Sequence, residues 1–272
     1  MNIDMTRLPR TIIRIARQSM AFALPASADK EMASGVVHYE PYTVKSGMSI
    51  AANLRNAFRD SVILPQASDR VQLLVDTPVL LVPNEEFDEG DTEPLFRHTY
   101  PDQHHDVVMH HVIPDLNCVA VFGVNKDLRV VVNDHFEDVR IMPAIVPVWQ
   151  HLHQRSYSGQ SRKLYAYFHD RQLSVFAFAK NRFRFANTFN ATEVTDSAYF
   201  ILYVWQQLAF DHKKDELYYV GDMNDADGLR AELKKYVQNV FPISPSAEFN
   251  RAPITQEPHV TYDVVCYIMH NS

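Results

Sequence analysis

Along residues 11–44, apolar positions alternate with polar or small ones: Ile13 and Ile15, then Met20, Phe22 and Leu24, then a β-branched and aromatic run over 36–42. A period of two marks strands with one buried face, and the spacing predicts three short antiparallel strands. The period changes over 48–62, where Ile50, Leu54, Phe58 and Val62 recur every four residues on one helical face, with Ser46 or Ser49 as N-cap. Residues 71–76 follow as an apolar run ending in Asp76, the form of a buried parallel strand.

The same order returns later. Residues 164–168, 173–178 and 183–189 predict three strands joined by short polar turns. A helix comes next, with Asn190 and Glu193 as a capping pair and Val194, Ala198, Ile201, Leu202, Trp205, Leu208 and Ala209 on one face. Tyr199, Phe200 and Tyr203 carry the aromatic surface further round it, so burial on several sides is expected. Residues 216–222 then form an apolar strand that again ends in an aspartate, Asp222. Three strands, a helix and a fourth strand, twice over, is a repeat of architecture. Between the copies, 107–113, 116–124 and 139–145 predict strands, 127–136 and 148–154 helices, and 84–101 a short helix with an exposed loop. The polar stretch 156–161 is the expected linker, dividing the chain into halves 1–157 and 158–272. The expected fold class is therefore α/β, duplicated.

Composition narrows what such a chain does. Its 272 residues accommodate two units of about 100 to 150 residues. The net charge of -7, without a basic run longer than two residues, argues against nucleic acid as a partner. Cys118 and Cys266 sit in apolar runs, as buried thiols do, and suggest neither a disulfide nor zinc. Arg7, Arg10, Arg14 and Arg17 interrupt the apolar residues at the N-terminus, so no signal peptide is read there. The longest uncharged apolar stretch, 197–210, falls short of the ~20 residues that span a bilayer. A cytoplasmic protein without membrane insertion is expected.

The turn-rich segment 13–22 (Ile-Arg-Ile-Ala-Arg-Gln-Ser-Met-Ala-Phe), the phrase Val79-Leu80-Leu81-Val82-Pro83 leading to Glu86-Phe87, and the run from Asn187-Thr188-Phe189 to Val220-Gly221-Asp222 carry a resemblance over most of the chain. They resemble a bacterial family of unknown function with an actin-like ATPase (ribonuclease H-like) fold. The resemblance implies that fold and brings no assigned activity with it. In the wider actin, Hsp70 and sugar-kinase superfamily it also implies two Asp-x-Gly hairpin loops, one per half, whose glycines let backbone N–H groups approach ATP phosphates.

The corresponding hairpins here, 15–19 and 168–172, contain no glycine. Arg17 and Gln18 stand where the first loop's metal-orienting carboxylate is expected, only Asp170 remains in the second, and the adenine-side glycine pair is reduced to Gly221. Of seven glycines, four (Gly35, Gly47, Gly90, Gly159) fall in ordinary turns or loops. A ribonuclease H-like nuclease needs clustered carboxylates for two metal ions, and 13–20 offers none.

Other chemistry is equally sparse. His98, His104, His105, His110 and His111 crowd one segment, yet adjacent His110 and His111 on a strand point to opposite faces. They are read as surface and strand-edge residues, and His151 and His153 as helix-surface residues. Asp76 and Asp222 end strands where α/β sheets collect ligands, although a turn or cap role suits them as well. No Gly-x-Ser-x-Gly elbow or Cys-His pairing marks a nucleophile.

The expectation is a non-catalytic pseudo-ATPase with neither cofactor nor metal, a binding or scaffold module whose cleft serves a protein or small-molecule partner. The alternative is a divergent nucleotide-binding protein in which Asp170, Gly221 and Asp222 hold Mg-ATP between the halves. A third reading is self-association into a homo-oligomer through exposed sheet edges.

Overall fold

The computed structural model describes residues 10–25, 37–103 and 106–271. The readings that involve Arg7, Gly35, Val36, His104 and His105 lie outside these. Strands β1 (Thr11–Ile15), β2 (Ser19–Pro25) and β3 (Val37–Thr43) are followed by α1 (Ile50–Asp60), β4 (Arg70–Val75) and β5 (Val79–Pro83). Then come α2 (Thr92–Thr99), β6 (Asp106–Ile113), β7 (Cys118–Asn125), α3 (Lys126–Asn133), β8 (Asp138–Pro143) and α4 (Ile145–Ser156). The remaining chain forms β9 (Lys163–His169), β10 (Gln172–Ala179), β11 (Arg182–Asn190), α5 (Val194–Gln207), β12 (Glu216–Gly221), α6 (Ala226–Leu233), β13 (Asn239–Pro242), α7 (Pro245–Glu248) and α8 (Tyr262–His270).

The duplication is explicit in the pairing. One five-stranded sheet has the order β3-β2-β1-β4-β8 and the other β11-β10-β9-β12-β13, which is the same topology strand for strand. In each, three antiparallel strands continue into two parallel ones. A small sheet, β5-β7-β6, is inserted within the first copy, between β4 and β8 rather than between the copies, and buries Phe96 of α2 against Val119 and Val121.

Side-chain alternation sets the layers. Ile13, Ile15, Leu73 and Phe22 pack on one face of the first sheet with Leu54 of α1 and Leu128 of α3. Leu164, Ala166 and Phe168 face α5 and α6 on the second. The opposite faces, with Ile12 and Leu74 from the first sheet and Tyr165, Tyr167 and Phe176 from the second, share one core with Val146, Trp149 and Leu152 of α4 and Val264 and Val265 of α8. The layer order is helix, sheet, helix, sheet, helix.

Several readings hold and several need correction. Ser49 is the α1 N-cap, its hydroxyl accepting from the Ala52 N–H at 3.2 Å, and both cysteines are buried and free. Asn190 and Glu193 do not form a capping pair: Asn190 ends β11, and Glu193 makes no side-chain cap bond. Nor is α5 buried on several sides, because it covers the outer face of its sheet and leaves Tyr199 and Tyr203 63% and 49% exposed. The reverse holds for α4, which is sandwiched between sheets. His153 is buried, its Nε2 2.7 Å from the Lys180 carbonyl oxygen, and His151 is 3.2 Å from Glu248 with its ring against Phe249. His153 is therefore not a surface residue, and His151 is half-buried. The strand read at 139–145 stops at Pro143, where α4 takes over, and the helices after Asp222 had no counterpart in the sequence reading. Among the described residues no helix is long and apolar enough to cross a membrane.

Candidate functional site

Parallel pairing of β1 with β4 and of β9 with β12 brings the carboxyl ends of four strands to one place, the position where α/β sheets collect ligands. The two copies match there to the level of single amides. The Asp76 N–H donates to Ile15 O at 2.8 Å, and the Asp222 N–H to Phe168 O at 3.1 Å. Asp76 is turned inward beside the second sheet, whereas Asp222 is exposed.

At the centre is Arg14, fully buried in β1. Its Nε donates to Asp263 Oδ2 of α8 at 2.7 Å, and its guanidinium lies 3.8 Å from Asp76. The second Asp263 oxygen accepts from the Thr261 hydroxyl and from the Val264 N–H at 2.7 Å. Asp76 Oδ2 is 2.9 Å from Nδ1 of His169, and Nε2 of that ring is 2.8 Å from the Ser174 hydroxyl, itself 2.8 Å from the Thr188 hydroxyl. In a neutral ring, Nδ1–H donates to Asp76 and Nε2 accepts from Ser174, which accepts from Thr188. The row follows from register. Ser174 pairs with Tyr167 and Thr188, so His169, two residues past Tyr167, lies diagonally across from it on the same face. The Tyr167 ring stacks on His169 at 4.7 Å.

Burial pushes the Asp76 carboxyl up, but His169 and then Arg14 outweigh it and hold it below the ordinary carboxylate range. Asp170 moves the other way: burial and then the Asp76 charge raise it, with Arg14 and the Gln18 and Arg17 N–H groups offsetting only part. A folded-state value above the unfolded one means that ionised Asp170 costs stability, a cost that fades as pH falls through both values. Asp170→Asn keeps an acceptor oxygen and removes the charge. It therefore melts higher than the wild-type chain at pH 7, and the gap closes by pH 3, as a thermal scan at the two pH values reads.

Asp170 occupies the turn of the β9–β10 hairpin. Both central residues lie in the left-handed region, Asp170 at φ 41° and Arg171 at φ 64°, as a two-residue turn matching the strand twist demands. From there the Asp170 carboxylate crosses to the β1–β2 tip and accepts the Gln18 N–H at 3.3 Å. Gly221 ends β12 at φ +109°, and a Cβ there would stand 1.9 Å from the Phe168 carbonyl oxygen. Of the sequence-derived residues, then, Asp170 reaches the first hairpin, Gly221 packs on the second sheet's backbone, and the Asp222 carboxylate points to solvent.

Sequence reading missed Arg14, Asp263, His169 and Ser174. The available signal was a lone arginine inside an apolar strand and a lone aspartate inside the apolar helix 262–270, complementary charges 249 positions apart. Aspartate, histidine and serine at these distances form a proton relay. Ser174, however, lies in the middle of β10 between two paired strands, its backbone within the ladder rather than on an exposed turn. The row thus lines the facing layers as a chain of hydrogen-bonded polar groups.

That row borders a cavity of about 420 Å³ between the two sheets. Asp76, Thr77 and the first residues of β5 line one side, Trp149 of α4 its base, and His169, Ser174, Phe176 and Thr188 the other. His98 lies in α2, His110 packs on Phe87, and His111 lines a second, separate cavity of about 460 Å³. Among the described residues no three His, Cys, Asp or Glu side chains are grouped to hold a metal ion.

A family model described as "Protein of unknown function (DUF3822)" matches residues 3–240. No curated protein matches the chain. Among solved structures it is similar to a protein of Bacteroides thetaiotaomicron VPI-5482 with an actin-like ATPase fold and unknown function, at a TM-score of 0.81 and 25% identity, over 98% of this chain and 99% of that one. It is also similar to a chain of the PilM-PilN type IV pilus biogenesis complex, at a TM-score of 0.55 and 9% identity over 97% and 99%, a likeness of fold alone.

Proposed function

The chain belongs to the DUF3822 family of proteins of unknown function, and from that premise we propose that it is a pseudo-ATPase, a non-catalytic binding or scaffold module built on the actin-like fold. Its units divide after Tyr157, and the cleft between them serves a partner rather than a triphosphate. The observation that carries this reading is the Gln18 N–H given to the Asp170 carboxylate. An amide that could cradle a phosphate at the first hairpin tip already holds an anion of the protein's own. Arg14, the nearest buried cation, is likewise committed to Asp263. Each bond joins the two hairpin-bearing sheets, or a sheet to α8, and so favours the closed arrangement without nucleotide.

The competing reading, Mg-ATP held by Asp170, Gly221 and Asp222, draws on the gathering of these residues at the ends of adjacent strands β9 and β12. Thermal melting separates the two. A ligand at 100 times its dissociation constant adds about 2.7 kcal/mol, which raises the melting temperature by roughly 5–11 °C for a chain of this size. Millimolar Mg-ATP is expected to leave the melting temperature unchanged. A rise in that range would replace the pseudo-ATPase reading with the nucleotide-binding one.

A further inference from the structure

The cavity between the sheets has the size and the two-sided chemistry of a small-molecule site. Its volume of about 420 Å³ lies within the ~300–1,000 Å³ typical of such pockets. Val79, Leu81, Ile145 and Phe176 supply apolar wall, while Ser174 and Thr188, with the amides of Asn187 and Asn190, supply a polar strip. Asn187, Thr188 and Asn190 are exposed and mark where the cavity meets solvent.

Trp149 supplies the independent observation. It lines the cavity, is 4% exposed, and its indole N–H has no acceptor among the described residues. A buried donor without an acceptor is unfavourable, and a ligand acceptor would relieve it. The walls also discriminate by charge. Asp76, the charged group on the lining, is already matched by His169 and Arg14, and Arg14 is bonded to Asp263. An anionic ligand would meet the Asp76 carboxylate with no Lys or Arg among the described lining residues. A cationic ligand would have to compete with His169 and Arg14 for Asp76 Oδ2.

We propose that this cavity binds an uncharged, largely apolar small molecule carrying a carbonyl-type hydrogen-bond acceptor, its apolar body between Val79, Leu81 and Phe176 and its acceptor on the Trp149 N–H. The inference rests on reading the cleft as a partner site and specifies the partner's chemistry. Because the lining comes from the Asp76–Leu81 segment and α4 on one side and from the second sheet on the other, the ligand bridges the same elements that Asp76 and His169 join.

The test is a titration of the full chain with Nile red, an uncharged aromatic dye with one carbonyl acceptor, followed by its emission. Wild-type protein is expected to bind saturably with one dye per chain. Ala186→Phe, which fills the cavity, weakens binding at least tenfold, and Trp149→Phe, which keeps an aromatic ring and deletes the N–H, weakens it about five- to tenfold. Tyr199→Ser, on the far face of the second sheet, leaves the affinity unchanged. Circular dichroism melts establish that each variant is folded, and Trp149→Phe carries the test if Ala186→Phe is not. Absence of saturable binding, wild-type affinity in folded Ala186→Phe or Trp149→Phe, or loss of binding on Tyr199→Ser each overturns the proposal. A dye failure with Mg-ATP still without effect on melting sinks this inference alone, whereas an Mg-ATP-induced rise sinks the pseudo-ATPase reading and leaves the dye result to stand.

Discussion

The Arg14→Met variant melts far below the wild-type chain. Methionine fills much of the arginine stem's volume in β1 but leaves the Asp263 carboxylate, 1% exposed, without its guanidinium, and Asp76 without its arginine neighbour. Removing one member of a buried ion pair costs about 3–5 kcal/mol, because the remaining charge stays desolvated. For a chain of this length that is roughly 6–20 °C of melting temperature. The double variant Arg14→Met/Asp263→Asn recovers part of the loss, since the stranded charge is then gone. A single variant melting within about 2 °C of wild type would show that the cluster is not what ties α8 to the first sheet.

Gly221→Ala has a comparable effect by a different route. The new Cβ would stand 1.9 Å from the Phe168 carbonyl oxygen, a backbone atom that no rotamer change can move. At φ +109° the backbone conformation is also one that alanine rarely adopts. Relief requires β12 to part from β9 at the Gly221–Phe168 register, next to the Asp222 N–H bond to the same oxygen. The cost is expected at about 4 kcal/mol or more, roughly 8–16 °C. Gly159→Ala is the control: its φ is +74°, but nothing lies within 4 Å of its Cβ position. Equal losses in the two variants would mean that backbone strain, not the contact with β9, explains Gly221. The large loss at Gly221 alone gives this glycine a reason in the fold that needs no adenine.

Local pattern carried much of this architecture. The period-two runs of β1 to β3 and β9 to β11, the period-four face of α1 through Ile50, Leu54 and Phe58 with its Ser49 cap (Val62 falls beyond the helix, 73% exposed), and the apolar strands ending at Asp76 and Asp222 are each decided by neighbours a few residues apart. Their order therefore exposed the duplication before any contact was known. Glycine-free hairpins were legible for the same reason, because a turn's backbone demands act on its own residues. Where environment rather than period decides, the sequence misled. His151 and His153 fall on a helix that one sheet alone would leave half solvated; the second sheet buries His153, and α7 with Phe249 half-buries His151. Tyr199 and Tyr203 broaden the apolar face of α5, yet they stay 63% and 49% exposed.

What the chain determined unaided, then, is which elements form, their order, and the lack of glycine in the hairpin tips 15–19 and 168–172, all matters of short-range periodicity and local composition. Tertiary structure alone decided which charges meet. Arg14 and Asp263 are 249 residues apart, Asp76 and His169 93, and each pair exists because layers built independently from the two copies stack face to face. A desolvated charge is tolerable only where its partner arrives from the opposite layer, and nothing in local sequence states which layer that will be.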